Sequence, residues 1–66
     1  MIPLLASVRL KEPDVVRKVS PSDRGVVVDV LGNGEAYTVE FFDQEGNSNL
    51  DALSTEYREE QLEIIE

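Results

Sequence analysis

An all-β fold is what this sequence predicts: a small antiparallel barrel of five short strands, with one short helical turn before the last strand. Three observations carry that expectation. Two β-rich runs are joined by an Asn-Gly turn, a short first run alternates strictly between apolar and polar residues, and the chain has 66 residues. That length allows one domain, spanning 1–66, and leaves room only for short elements.

In the first run Leu4, Ala6, Val8 and Leu10 alternate with Leu5, Ser7, Arg9 and Lys11, which gives a strand with one apolar face. Pro13 ends it. The stretch from Glu12 to Arg24 contains Pro13, Ser20, Pro21, Ser22 and Asp23 and reads as a loop. Its Val15, Val16 and Val19 are apolar enough to tuck one edge against the barrel.

The central hairpin is the strongest signal. Gly25 to Leu31 and Ala36 to Phe42 flank Gly32-Asn33-Gly34-Glu35, and Asn-Gly between β-rich runs favours a tight turn with positive φ at both Asn33 and Gly34. Folding about that dipeptide pairs Leu31 with Ala36, Val30 with Tyr37, Val28 with Val39 and Val26 with Phe41. The last six of those residues form the core face, and a one-residue slip would set them against Thr38 and Glu40. The same register turns Val27, Leu31, Ala36 and Phe42 outward.

Asp43-Gln44-Glu45-Gly46-Asn47 is a second turn, with Gly46 suited to positive φ. Asn49 to Thr55 reads as a fourth strand in which Leu50 faces Phe41, Ala52 faces Val39, and Asp51 lies opposite Glu40 on the outside. Thr55 to Glu60 reads as one helical turn, capped by Thr55 and begun by Glu56. Gln61 to Ile65 makes the closing strand. The expected core is Val8, Leu10, Val26, Val28, Val30, Tyr37, Val39, Phe41, Leu50 and Leu62. Five strands, a long first loop, a central hairpin and a late helical turn describe an SH3-like barrel, and the chain is small for an OB-fold.

Several stretches also resemble a family of short, uncharacterised bacterial proteins known as domain of unknown function 4926. They are Leu5-Ala6-Ser7-Val8-Arg9-Leu10, the Gly25 to Val30 strand, Gly34-Glu35-Ala36-Tyr37-Thr38-Val39-Glu40-Phe41, Asp43 to Gly46, and Gln61-Leu62. The Ala-Tyr-x-Val-Glu-Phe run is the most specific. In the first loop Ser22 and Arg24 depart from the glycine and apolar residue of the family pattern, and Asn47 to Glu59 matches loosely. The resemblance implies an SH3-like barrel, and an antitoxin or immunity role through genes beside toxin domains. It brings no catalytic residues with it.

Composition narrows the function classes. The chain lacks Cys and His, so disulfides, thiolate chemistry and zinc sites built from those ligands are excluded. No segment approaches the ~20 apolar residues of a membrane span. Ile2-Pro3-Leu4-Leu5-Ala6 lacks the basic flank of a signal peptide, and the expected location is the cytoplasm. Net charge is −8, from 6 basic and 14 acidic residues. Arg9, Lys11, Arg17, Lys18 and Arg24 fall within the first 24 residues, and only Arg58 accompanies the eleven carboxylates that follow. Such a field repels phosphates and anionic lipids and steers toward basic protein surfaces.

Catalytic chemistry finds no foothold. A nucleophile needs an adjacent base, and neither the serines nor Lys11 and Lys18 fall in a motif of that kind. Glu40 and Asp51 read as two solvated carboxylates, since no third ligand or EF-hand spacing accompanies them. Gly32-Asn33-Gly34 opens no helix that would bind an anion, so it is a turn. No enzyme activity and no cofactor or metal are expected.

The expected function is protein binding through the outer face of the hairpin. Val27, Leu31 and Phe42 would supply apolar contact, rimmed by Asp29 and Glu40, toward a basic protein partner or a second copy. Cover by Val15, Val16 and Val19 is the competing reading of that face. The alternative function is nucleic-acid binding through the N-terminal basic cluster.

Overall fold

The apolar alternation of the first run becomes strand β1 (Ser7–Leu10) in the computed structural model of the protein, which describes residues 1–65. Strands β2 (Arg24–Leu31), β3 (Ala36–Phe42) and β4 (Leu62–Ile64) join it in one antiparallel sheet, ordered β3-β2-β1-β4. The outermost strands, β3 and β4, do not pair, so the sheet stays open. The expected five-stranded closed barrel is thereby corrected to a four-stranded sheet.

The missing strand explains the opening. Asn49 to Thr55 does not extend; it forms the short helix α1 (Leu50–Leu53) instead. Asn49 Oδ1 accepts the Ala52 N–H at 3.0 Å, and Ser54 Oγ donates to the Leu50 carbonyl at 3.1 Å. An Asn cap with Asp51 in the first turn favours a helix start over an isolated edge strand. Leu50 is consequently 70% exposed, outside the expected core, while Ala52 is buried. The helical turn expected from Thr55 lies later, as a 3-10 turn at Glu59–Gln61. Gln61 Oε1 accepts the Arg58 N–H there at 2.8 Å.

Tyr57 stands in for the absent strand. Its backbone exchanges two hydrogen bonds with Tyr37, at 2.7 and 2.9 Å, along the outer edge of β3. Its ring meets Phe41 edge-on, with centroids 5.5 Å apart and planes at 81°. Tyr37 is fully buried, and its Oη accepts the Ile2 N–H at 3.0 Å. Ile2, Ala6, Val8, Leu10, Val19, Val27, Val39, Ala52 and Leu62 complete the core with these three aromatics.

The hairpin register holds near the turn and then changes. Leu31 pairs with Ala36, Val30 with Tyr37 and Asp29 with Thr38, but the next pair is Val27 with Val39. Val28 is left over as a β-bulge, and one inserted residue reverses the facing of everything before it. Val27, expected outside, is fully buried; Val28 is 38% exposed, and Val26 is half-buried on the outer face opposite Glu40. Gly25 provides the physical reason. It pairs with Phe41, and a Cβ built there would lie 2.7 Å from Phe41 Cε1 and 2.7 Å from Val39 Cγ1. The bulge brings the one residue of β2 without a side chain beneath the Phe41 ring, where the unbulged register would put Val26.

The turn itself is a four-residue loop. Positive φ falls at Gly32 (61°) and Gly34 (94°), not at Asn33, and the Glu35 N–H reaches the Leu31 carbonyl at 3.1 Å. A Cβ at Gly34 would meet Met1 Cγ at 3.0 Å and Tyr37 Oη at 3.1 Å. Gly34→Val should therefore lose about 2 kcal/mol or more to backbone strain and overpacking. Gln44→Val removes only exposed hydrogen bonds of 3.2 and 3.3 Å and should stay within about 1 kcal/mol. Urea denaturation of the two variants compares them, and equal small shifts would refute this account of the turn.

The first loop carries a small hairpin of its own. Asp14 and Val19 exchange backbone hydrogen bonds of 2.9 and 3.0 Å, with Lys18 at φ 61°. Val19 enters the core, but Val15 and Val16 at the tip are 80% and 81% exposed. Of the three valines expected to tuck in, one does.

Candidate interaction surface

One face of the sheet packs on the core, and the other looks outward. Because β-strand side chains alternate, the outer face is assembled from Ser7 and Arg9 of β1, Arg24, Val26, Asp29 and Leu31 of β2, and Ala36, Thr38, Glu40 and Phe42 of β3. The register sets Ser7, Val26 and Glu40 in one row and Arg24 beside Phe42 in the next. On the far side Arg9 lies beside Glu63 of β4, and the Ile65 N–H donates to the Ser7 carbonyl at 2.9 Å.

Of the five residues expected to bind a partner, four belong to this face. Leu31, Glu40 and Phe42 are half-buried and Asp29 is exposed. Val27 does not belong: the bulge puts it wholly in the core, and Val26 takes its outward place. The bulge was not legible in the alternation of residues, although a glycine at the start of a β run is the signal that marks such sites. Val15 and Val16 do not cover the face. Phe42 instead borders a cleft shared with Lys18, Asp23, Asn47 and Ser48.

Charges on the face are partly satisfied within it. Arg9 Nη2 meets Glu63 Oε1 at 2.7 Å, Arg24 Nη2 donates to Ser7 Oγ at 3.0 Å, and Glu40 Oε2 accepts from Ser48 Oγ at 3.1 Å. Asp51 sits on α1, so the expected cross-strand pairing of Glu40 with Asp51 does not form. Among the described residues no three carboxylates converge as metal ligands, and no helix is long and apolar enough to cross a membrane.

A second polar cluster holds the first loop to the body. Tyr57 Oη donates to Asp14 Oδ2 at 2.8 Å, Arg17 Nη1 lies 3.6 Å from the same oxygen, and Asn49 Nδ2 donates to the Arg17 carbonyl at 2.7 Å. Burial raises the Tyr57 phenol well above its ordinary range, and the Asp14 carboxylate beside it adds to the rise. For Asp14, burial works to raise the carboxyl, but the Tyr57 hydroxyl, the Arg17 N–H and the Arg17 charge outweigh it and hold it below its ordinary value. A depressed carboxyl contributes stability that is complete above its unfolded pKa and is lost as pH falls through the folded one. Acid titration of stability should thus show a loss below about pH 4 that Asp14→Asn diminishes; an unchanged acid limb would disprove the contribution. The cluster anchors the first loop to the body of the domain.

A family model described as Domain of unknown function (DUF4926) matches residues 4–62. The chain belongs to this family. The match spans β1, the bulged hairpin, α1 and the start of β4, so the outer face formed by β1, β2 and β3 falls within the family's segment. No curated protein and no solved structure matches the chain.

Proposed function

We propose that this family member is a non-catalytic, acidic protein-interaction module of the cytoplasm, of antitoxin or immunity type. In this reading it binds a basic partner through the outer face of its sheet. The observation that carries the reading is the outward placement of half-buried Val26, Leu31 and Phe42, interspersed with Asp29 and Glu40, in a chain of net charge −8. Apolar side chains would supply the buried area, and the carboxylates would set the on-rate and reject acidic partners.

The nucleic-acid reading draws less support. Arg9 is paired with Glu63 and Arg17 with Asp14, so these members of the N-terminal cluster are engaged within the fold. Tyr37, Phe41 and Tyr57 are buried and present no stacking platform for bases.

The test is capture from native lysate by the wild type, Leu31→Asp, Phe42→Asp and Val16→Asp, followed by mass spectrometry. A genuine partner is retained by wild type and Val16→Asp, whose site is the exposed tip of the first loop and not the sheet, and lost with the two sheet-face variants. Reversing Asp29 or Glu40 to Lys should weaken capture modestly and flatten its salt dependence. RNA retained at low salt and released steeply as salt rises, with no protein dependent on Phe42, would overturn the proposal.

A further inference from the structure

We propose that the free edge of β4 takes up an extended segment of a partner protein, reading apolar-basic-apolar, as an added strand of the sheet. This surface is separate from the outer face and does not rest on the function proposed for that face. The two edges of the sheet are treated differently. Along β3, Tyr57 pairs with Tyr37, the Asn49 N–H donates to the Phe41 carbonyl at 2.8 Å, and Ser48 bridges to Phe42. No described segment pairs with the far side of β4. The ladder fixes which groups that side offers. The Lys11 N–H donates to the Gln61 carbonyl and the Ile65 N–H to the Ser7 carbonyl, both at 2.9 Å. In the alternating antiparallel pattern Gln61, Glu63 and Ile65 therefore turn their backbone groups toward β1, and Leu62 and Ile64 turn theirs away. The Leu62 N–H closes the 3-10 turn on the Glu59 carbonyl. The Leu62 carbonyl and both backbone groups of Ile64 have no hydrogen-bond partner among the described residues. An antiparallel strand laid here exchanges two hydrogen bonds with Ile64 and donates another to Leu62.

In strand addition the main chain supplies affinity and alternate side chains supply specificity. Beside Ile64, whose side chain is 50% exposed, the added residue is apolar. Beside Glu63 it is basic. Arg9 touches only Oε1 of Glu63, with Nε at 2.8 Å and Nη2 at 2.7 Å, so Oε2 stays available. The groove along this edge sets Glu59, Glu60 and Glu63 against Arg9 and Lys11, and Glu60 has no partner among the described residues. With the chain at −8 overall, a basic segment is drawn in and an acidic one is turned away. Protected edges carry proline, lysine or a bulge, and Leu62-Glu63-Ile64 has none of these. The shortness of β4 limits the pairing and makes the contact weak, with a Kd of about 1 mM for an isolated segment.

The probe is a blocked peptide of alternating valine and lysine, about six residues long, added at up to about 5 mM to the isotope-labelled whole chain. Binding should shift the amide signals of Leu62 to Ile65 and slow hydrogen exchange at the Ile64 N–H about 5-fold. N-methylating the peptide's valines removes the donors that would face Leu62 and Ile64 but keeps the charge, and should abolish both effects. Ile64→Pro removes an N–H that nothing in the fold accepts, and should abolish the shifts while leaving the ladder to β1 in place. If that variant does not fold, the methylated peptide decides. Glu63→Gln should weaken binding about 3-fold. Equal binding of the methylated peptide, equal binding of a valine–glutamate peptide, or no shift at β4 at the highest concentration overturns the proposal. Phe42 lies on the opposite edge strand, so Phe42→Asp should leave this binding unchanged, and the outer-face reading stands or falls separately by its own variants.

Discussion

Phe41→Ala is expected to cost about 3–5 kcal/mol, the range for removing a buried aromatic side chain. For a small domain that is a large part of a total stability of ~5–15 kcal/mol, so the variant should be largely unfolded at 37 °C or close to it. Phe41 is the point where three features meet. Its ring is 1% exposed, packs edge-on against Tyr57, and lies over Gly25, the residue across the sheet that has no side chain. Truncation therefore empties space that backbone on one side and an anchored tyrosine on the other do not readily fill. The partnership with Gly25 can be measured separately. Gly25→Ala should destabilise the wild type by about 1–3 kcal/mol through overpacking and less in the Phe41→Ala background, where one of the two clashing side chains is gone. Guanidinium unfolding of the four proteins in this cycle gives the coupling. Strictly additive effects would show that the bulge is not organised around this contact.

Phe42→Asp, one residue further along, is expected to leave the fold and remove the function. Phe42 faces outward beside Arg24, so a carboxylate introduced there acquires a cation across the strand pair instead of an apolar neighbourhood. Far-UV circular dichroism should be unchanged and the melting temperature should fall far less than for Phe41→Ala. Association through the outer face should weaken at least about 30-fold, corresponding to the ~2 kcal/mol loss that marks an anchoring aromatic. Unfolding of this variant, or undiminished association, would assign Phe42 to the core or remove it from the binding surface.

Adjacent phenylalanines with opposite expected outcomes show how the chain encodes its surface. Alternation in Tyr37, Val39 and Phe41 was legible because both neighbours of each are less apolar or face a known turn, and all three are buried as read. β2 offered no such alternation: Val26, Val27 and Val28 are chemically equivalent, so periodicity could not decide which of them points inward. The choice falls to Gly25, which must lie under Phe41, and that constraint exists only once the two strands are paired.

The same division runs through the rest of the molecule. Local signals were enough for β1, the hairpin, the Gly46 turn with its positive φ of 87°, the late helical turn as a class, and the burial of Leu62. They failed between Asn49 and Tyr57, where a capped four-residue helix and a lone tyrosine take the place of a strand. The Asn49 cap and Asp51 in the first turn favour the helix, a local signal that the apolar alternation masked, and packing of α1 against β3 with Ala52 buried fixes it there. Composition alone established that the domain is small, acidic and without Cys or His. Whether its outer hairpin face stays uncovered, and that Val26 and not Val27 belongs to it, was decided by tertiary structure. The hydrogen-bonded pairing of Asp14 with Val19 holds Val15 and Val16 at a projecting tip, and one extra residue in β2 rotates the strand beneath the Phe41 ring.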